Sequence, residues 1–166
     1  KFELLSHHEA LAHLDTMMNY AGLRAEQKRL REQGIYRGIG FASFIEVTNP
    51  SAAFYGVGGA RITSQDGATV KLDAQGALVI QSGVTEQGQG TEAVLAQVVA
   101  SSFGVPIEKV RVITGDTDNT PYGGGTWASR AAGIGGEAAW QAGKALRENV
   151  LAVAGAMLQT KPGDLD

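Results

Sequence analysis

Gly83-Val84-Thr85-Glu86-Gln87-Gly88-Gln89-Gly90-Thr91-Glu92 separates an alternating apolar run, residues 77–81, from an amphipathic run, residues 93–103. The order reads as a strand, a glycine turn and the start of a helix. Gly88 and Gly90 remove Cβ atoms where the chain must bend and where a ligand would approach the backbone. Thr91 is placed to act as the N-cap, with the free amides of the first helical turn pointing back at the bend. Such amides, aided by the helix dipole, suit a phosphate or another anion. No Lys or Arg lies between Lys71 and Lys109. An anion here would therefore be gripped by main-chain N–H groups and amide side chains rather than by a Walker-type lysine.

The elements around this turn predict an α+β fold. Residues 68–72 and 77–81 form a hairpin through Asp73-Ala74-Gln75-Gly76. Residues 38–47 alternate with apolar side chains on both faces, which predicts an inner strand ended by Asn49-Pro50. Residues 60–64 read as a further short strand turning at Asp66-Gly67, and residues 52–59 as a loop or irregular strand. After the helix at 92–103, Gly104 and Pro106 stop it and residues 110–113 form a strand. The last helix starts near Thr126 or Ser129, with small residues at 131, 132, 135, 136, 139 and 143 that call for very close packing. The expected architecture is two-layer: a mixed, mainly antiparallel sheet with packed helices.

Ahead of it, Ser6 and Glu9 form a capping box for a helical segment that weakens at 19–22 and ends at Gly34. The organisation expected is a lead-in helical segment at 1–34, a packed domain at 35–160, and a linker or truncated tail at 161–166. A start at Lys1, inside what reads as a structured segment, points to a piece of a longer protein.

Composition narrows the function. The 166 residues are 43% apolar and 19% charged, enough for one globular core. A net charge of −3 gives no electrostatic reason for a nucleic-acid or anionic-membrane partner. With no Cys there is no disulfide, thiolate metal ligand or cysteine nucleophile, which fits a cytoplasmic protein. No apolar run reaches membrane-spanning length. His7, His8 and His13 lack the spacing and acidic partners of a metal site and read as surface residues.

Chemistry concentrates in two glycine-rich loops that each precede a helix, 86–91 and 123–131. Two helix starts suit a ligand with two anionic or hydrogen-bonding ends, such as a pyrophosphate-linked cofactor. Gln87 and Gln89 supply donors and acceptors, Thr126 and Ser129 hydroxyls, and Arg130 a cation. The same turn also fits a tight strand-to-helix connection that binds nothing. It is not a Rossmann fingerprint, because the third glycine is missing. Asp116 and Asp118 are the paired carboxylates of the long 115–125 loop, and an Asx-turn is the preferred reading for them. No Gly-x-Ser-x-Gly elbow or Ser–His–Asp arrangement is present, so these residues support ligand binding better than catalysis.

Two stretches in order, Gly83-Val84-Thr85-Glu86-Gln87-Gly88-Gln89-Gly90 and Gly115-Asp116-Thr117-Asp118-Asn119-Thr120-Pro121-Tyr122-Gly123-Gly124-Gly125-Thr126-Trp127-Ala128-Ser129-Arg130, carry a resemblance. They closely resemble the molybdenum-cofactor-binding large subunits of the xanthine dehydrogenase / aldehyde oxidase / carbon monoxide dehydrogenase family. Residues 37–42 and Glu46 also fit, and the resemblance runs from about residue 10 to 150, which implies that 35–160 is half of a molybdopterin-binding domain. It implies cofactor-binding roles for Gln87, Gly88, Gln89 and Gly90 on one side and for Thr126, Ala128, Ser129, Arg130 and Ala131 on the other. It also implies molybdopterin cytosine dinucleotide as cofactor, with the metal held by the pterin's own sulfurs, so no metal-ligating residue is assigned. The implied parent enzyme oxidises a heterocycle, an aldehyde or carbon monoxide with water as oxygen source. Implied partners are the remainder of the large subunit, iron–sulfur and FAD subunits or domains, and a small-molecule substrate. The family's catalytic Glu motif does not follow the second loop, and its Gly-Gly-Phe-Gly-type loop is absent. No catalytic residue is therefore assigned, and this stretch alone is expected to be inactive. A non-catalytic nucleotide- or phosphate-binding module is the alternative, and a structural domain packing through its glycine helix is a third.

Overall fold

The computed structural model describes residues 5–45, 48–50 and 65–165. The chain divides into two compact units, residues 1–44 and 45–166.

In the first unit, α1 (His7–Met18) and α2 (Tyr20–Glu32) are separated by one residue. Asn19 adopts the left-handed conformation (φ 48°), ending α1, and its side chain accepts a hydrogen bond from the Gly22 amide to start α2. Asn tolerates this region better than other non-glycine residues, so a single residue makes the break. The capping box does not form: Ser6 sits at the N-cap, but its hydroxyl makes no cap bond. His7, His8 and His13 are exposed, as read from the sequence.

The strand expected at 38–47 is corrected. Residues 38–45 are irregular, and the aromatic and large aliphatic side chains at Phe41, Phe44 and Ile45 are exposed; 46 and 47 lie outside the described residues. A strand needs a ladder partner, and none is present among the described residues. The chain just before it is used by α2 instead: Gln27 donates to the Arg37 carbonyl, and Arg37 pairs with Glu26 at 2.8 Å. Phe41 meets Tyr20 edge to face, with ring centroids 5.4 Å apart. The expected strand at 60–64 and the 52–59 loop lie outside the described residues.

The second unit is α+β. β1 (Ala68–Leu72) pairs antiparallel with β2 (Leu78–Ser82), in register from Ala68 opposite Ser82 to Leu72 opposite Leu78. Asp73 closes the hairpin by accepting from the amides of Gln75 and Ala77. β2 then pairs in parallel with β3 (Val110–Ile113), so the sheet is mixed, in the order β1-β2-β3. The crossover between the parallel strands is α3 (Thr91–Phe103), ended by Gly104 at φ 94°. A π-helical turn (Ala131–Gly135) leads into α4 (Gly136–Leu158), so the last helix begins two to five residues later than expected. The cause is local: Ala128 and Ser129 both take positive φ (47° and 51°), which no helical residue can hold. After α4, Pro162–Asp164 forms a 3-10 turn that folds back on the helix end.

α4 packs on α3 and β1, and α3 packs on β3. The core comprises Leu78, Ile80, Val84, Leu95, Val99, Ala131 and Ala139. Leu78 and Ile80 alternate along β2, and Leu95 and Val99 are one turn apart on α3, so each element turns one face inward. Each of these large side chains, fully buried, contributes about 1.5–3 kcal/mol.

Small residues on the last helix set how closely it seats. A Cβ at Gly135 would stand 2.8 Å from Val84 Cγ1, and one at Gly143 would collide with Ser102 Oγ. At Gly133 it would collide with the Asn49 side chain. Gly136 differs: it is buried, yet a Cβ there meets nothing within 4 Å. The two adjacent glycines should therefore respond oppositely to alanine. Gly135→Ala should cost about 1–3 kcal/mol by overpacking Val84. Gly136→Ala, at helical φ −64° and ψ −40°, should stabilise by about 0.5–1 kcal/mol. Denaturant unfolding of the two variants checks the sign difference.

Candidate functional site

The glycine turn leaves the C-terminal end of β2, the end of a parallel pair where α/β crossovers commonly place ligands. Gly88 (φ 98°) and Gly90 (φ 84°) both need glycine's backbone freedom, as the sequence predicts. Gly90, not Thr91, is the N-cap, and Thr91 is the first helical residue.

The amides of this turn are not free. The Glu86 carboxylate folds over them. Its Oε1 accepts from Gln87 N (3.1 Å), Gly88 N (2.7 Å) and Gly90 N (3.0 Å), and its Oε2 accepts from Glu92 N (3.1 Å). Gln87 N is shared with Gln89 Oε1 at 2.8 Å. The anion grip expected from these nitrogens is therefore corrected: the protein supplies its own anion. The Glu92 amide, and after it those of Gly88, Gly90 and Gln87, hold the Glu86 carboxyl below its ordinary value. Sequence reasoning passed over Glu86. The signal for it was an acid placed just ahead of two glycines and a helix start.

The second glycine loop lies against the first. Thr126 Oγ1 accepts from Thr85 N (2.7 Å) and donates to Thr85 O (2.8 Å), while Gln87 Nε2 donates to Thr126 O (3.0 Å). One hydroxyl thus acts as a two-way clasp between segments 41 residues apart. Trp127 closes the second loop by donating from Nε1 to Gly124 O at 3.1 Å. In the long loop before it, Asp116 forms the expected Asx-turn. It accepts from Asp118 N and Asn119 Nδ2, and the Asn119 side chain is the main reason its carboxyl is held below the usual range.

Between the two turns is a cleft of about 530 Å³, within the span usual for small-molecule sites. Gln87, Gln89, Thr126, Ala128, Ser129, Arg130 and Ala131 all line it, joined by Thr91, Val94, Trp127 and Ala132. Seven of the nine residues singled out in the sequence thus share one cavity, and Gly88 and Gly90 flank Gln89 in the bend.

Arg130 is placed otherwise than expected. Its side chain is fully buried, with Nη2 3.0 Å from Asp66 Oδ2 and 2.9 Å from Gln65 O. It is a structural cation, already neutralised, and does not present its charge to the cleft. Asp66 was read only as a turn residue, yet its carboxylate fills space that two glycines leave open. A Cβ at Gly123 would collide with it, and a Cβ at Gly83 would stand 2.5 Å from Oδ1. Burial pushes the Asp66 carboxyl up, against the pull of Arg130 and the amides of Gly67 and Gly124. Among the described residues no cluster of three or more His, Cys, Asp or Glu could hold a metal ion, and no helix is long and apolar enough to cross a membrane.

Residues 13–166 match the molybdopterin cofactor-binding domain family. The chain is 37% identical over 157 residues to the nicotine 6-hydroxylase large subunit of Paenarthrobacter nicotinovorans, covering 95% of this chain and 19% of that one. It is 33% identical over 161 residues to the carbon monoxide dehydrogenase large chain of Afipia carboxidovorans, covering 92% and 19%. Its fold matches the crystal structure of quinoline 2-oxidoreductase from Pseudomonas putida 86 with a TM-score of 0.63 and 35% identity, over 95% of this chain and 20% of that one. The chain therefore spans about a fifth of the length of these relatives.

Two outcomes follow for the charged groups. Asp66→Ala leaves a buried guanidinium without its counter-charge and should destabilise by about 3–5 kcal/mol in denaturant unfolding. Glu86 titrates with the opposite sign to Asp66. Its folded value lies below 4.5, so its contribution is present above that value and is lost as pH falls through the lower folded one. Asp66, raised above 3.8, contributes most at low pH and loses that contribution as pH rises through its folded value. The difference in melting temperature between wild type and Glu86→Gln isolates Glu86. That gap should be widest at neutral pH and should close below 4.5.

Proposed function

The chain belongs to the molybdopterin cofactor-binding domain family, and from that premise we propose that it forms one wall of the cofactor cradle in the large subunit of a molybdenum hydroxylase. The observation that carries the reading is the clasp of Thr126 on Thr85, which sets both glycine turns around a single cleft. The donor set fits such a group: neutral amides, a hydroxyl and small residues, with no thiolate required of the protein.

In this reading Gln87 and Gln89 offer donors and acceptors to the pterin. Gly88 and Gly90 let it approach the backbone, and Ala128, Ser129 and Ala131 line the opposite side. Arg130 shapes that side through its main chain while its charge stays with Asp66. Thr126 holds the two sides at fixed spacing, so little ordering is left for the moment of binding. When bound, the cofactor supplies a two-electron redox centre whose metal is held by the pterin's own dithiolene sulfurs. The cytosine dinucleotide form is part of the proposal, because a bipartite ligand suits two turns that meet at one cleft. So are a heterocycle, aldehyde or carbon monoxide as substrate, iron–sulfur and FAD partners for electron exit, and a cytoplasmic location. A plain phosphate-binding module is disfavoured by Glu86 and Asp66, which already occupy the amides and the guanidinium it would use.

The full-length protein, made in a host that synthesises the cofactor, should carry molybdenum and pterin in equal amounts. Gln89→Ala should lower both about tenfold, since it removes a side chain worth one or two hydrogen bonds of about 1 kcal/mol each. Wild-type protein free of molybdenum would sink the reading.

A further inference from the structure

Two hydroxyls inside the helices of this protein find their own carbonyls. Thr16 donates to Ala12 O at 3.0 Å, and Ser102 donates to Val99 O at 3.1 Å. Thr91 cannot do so. It is the first residue of α3, and Gly90 before it is left-handed at φ 84°, so no helical turn places a carbonyl beneath its side chain. The nearby turn amides are taken by the Glu86 carboxylate. Thr91 is only 4% exposed, and its Oγ1 has no hydrogen-bond partner among the described residues. A buried polar atom without a partner is costly and uncommon in a folded protein. The same residue lines the cleft, together with Gln87, Gln89 and the 126–132 segment.

We propose that the Thr91 hydroxyl is a ligand contact: its missing partner is a hydrogen-bonding atom of the molecule bound in the cleft. This rests on the cofactor reading above, and there the partner is a ring nitrogen, carbonyl or phosphate oxygen of the pterin cofactor. The hydroxyl both donates and accepts, so it suits each of these atoms. It adds a neutral contact at the base of a turn whose charged groups are already satisfied.

Thr91→Val tests this in the full-length protein, because valine keeps the shape and β-branching and removes only the hydroxyl. Cofactor-free protein, from a host unable to make the pterin, should be as stable as wild type or more so, since an unsatisfied buried group has been deleted. Protein from a cofactor-producing host should retain about 5- to 10-fold less molybdenum and pterin after extended dialysis, the worth of one neutral hydrogen bond. Thr91→Ser, which restores the hydroxyl, should recover most of that retention. If Thr91→Val holds the cofactor as wild type does, the proposal is overturned. It is equally overturned if the cofactor-free variant unfolds more easily or does not fold, because the hydroxyl then serves the fold. Wild-type protein lacking pterin in the producing host overturns the cofactor reading itself, a result distinct from either of these.

Discussion

The ion pair between Arg130 and Asp66 decides where the second glycine loop can run. Both side chains are fully buried, and a charge so placed is tolerated only with a partner in contact. Arg130 stands at the entrance of the last helix, whereas Asp66 precedes β1, so the pair ties the start of the sheet to the start of that helix. The carboxylate fits because Gly83 and Gly123 carry no side chains. Glycine at these two positions is thus a packing requirement, separate from the backbone freedom needed at Gly88 and Gly90. With Asp66 seated, the loop from Gly123 to Ser129 lies beside Thr85, and Thr126 closes the gap with two hydrogen bonds.

A second consequence concerns charge. The two features that sequence reasoning offered as an anion grip are both satisfied internally, the turn amides by Glu86 and the guanidinium by Asp66. A carboxylate wrapped by several amides fixes the turn without an external ion, so the bend is held in shape before any ligand arrives. In the proposed cofactor reading, recognition in the cleft falls to groups that carry no net charge: the amides of Gln87 and Gln89, the hydroxyl of Thr91, and the approach allowed by Ala128 and Ala131. Neutral hydrogen-bonding groups discriminate by direction, whereas a bare cation attracts any phosphate.

Much of this was legible in the residues. The hairpin, the helix after the glycine turn, its stop at Gly104 and the close-packed last helix all follow from local rules of turn chemistry and periodicity. The gathering of Gln87, Gln89, Thr126, Ala128, Ser129, Arg130 and Ala131 around one cavity agrees with two motifs read in order. What escaped were contacts between segments far apart in sequence. Asp66 lies 64 residues from Arg130, and nothing in a turn-like Asp-Gly pair announces a buried salt bridge. Glu86 escaped for a different reason: an acid beside a glycine turn is ordinarily a solvated residue. Its role shows only when four amides converge on it. The strand expected at 38–47 does not form over 38–45, because alternation gives a segment the pattern of a strand without giving it a neighbour, and none pairs with it among the described residues.

The direction of the last helix joins these points. A helix starting at Thr126 would require negative φ at Ala128 and Ser129, just before Arg130. Instead Ala128 and Ser129 take left-handed conformations that L-residues adopt at a cost of order 1–3 kcal/mol each. Such strain persists only where surrounding contacts over-determine it, and here they are identifiable. The Thr126 clasp and the Trp127 bond to Gly124 fix the chain before the two residues, and the Arg130–Asp66 pair fixes it immediately after. Both strained residues line the cleft. The fold therefore spends conformational energy at the wall of its candidate site, and an uninterrupted helix through this segment would remove the strain and the wall together.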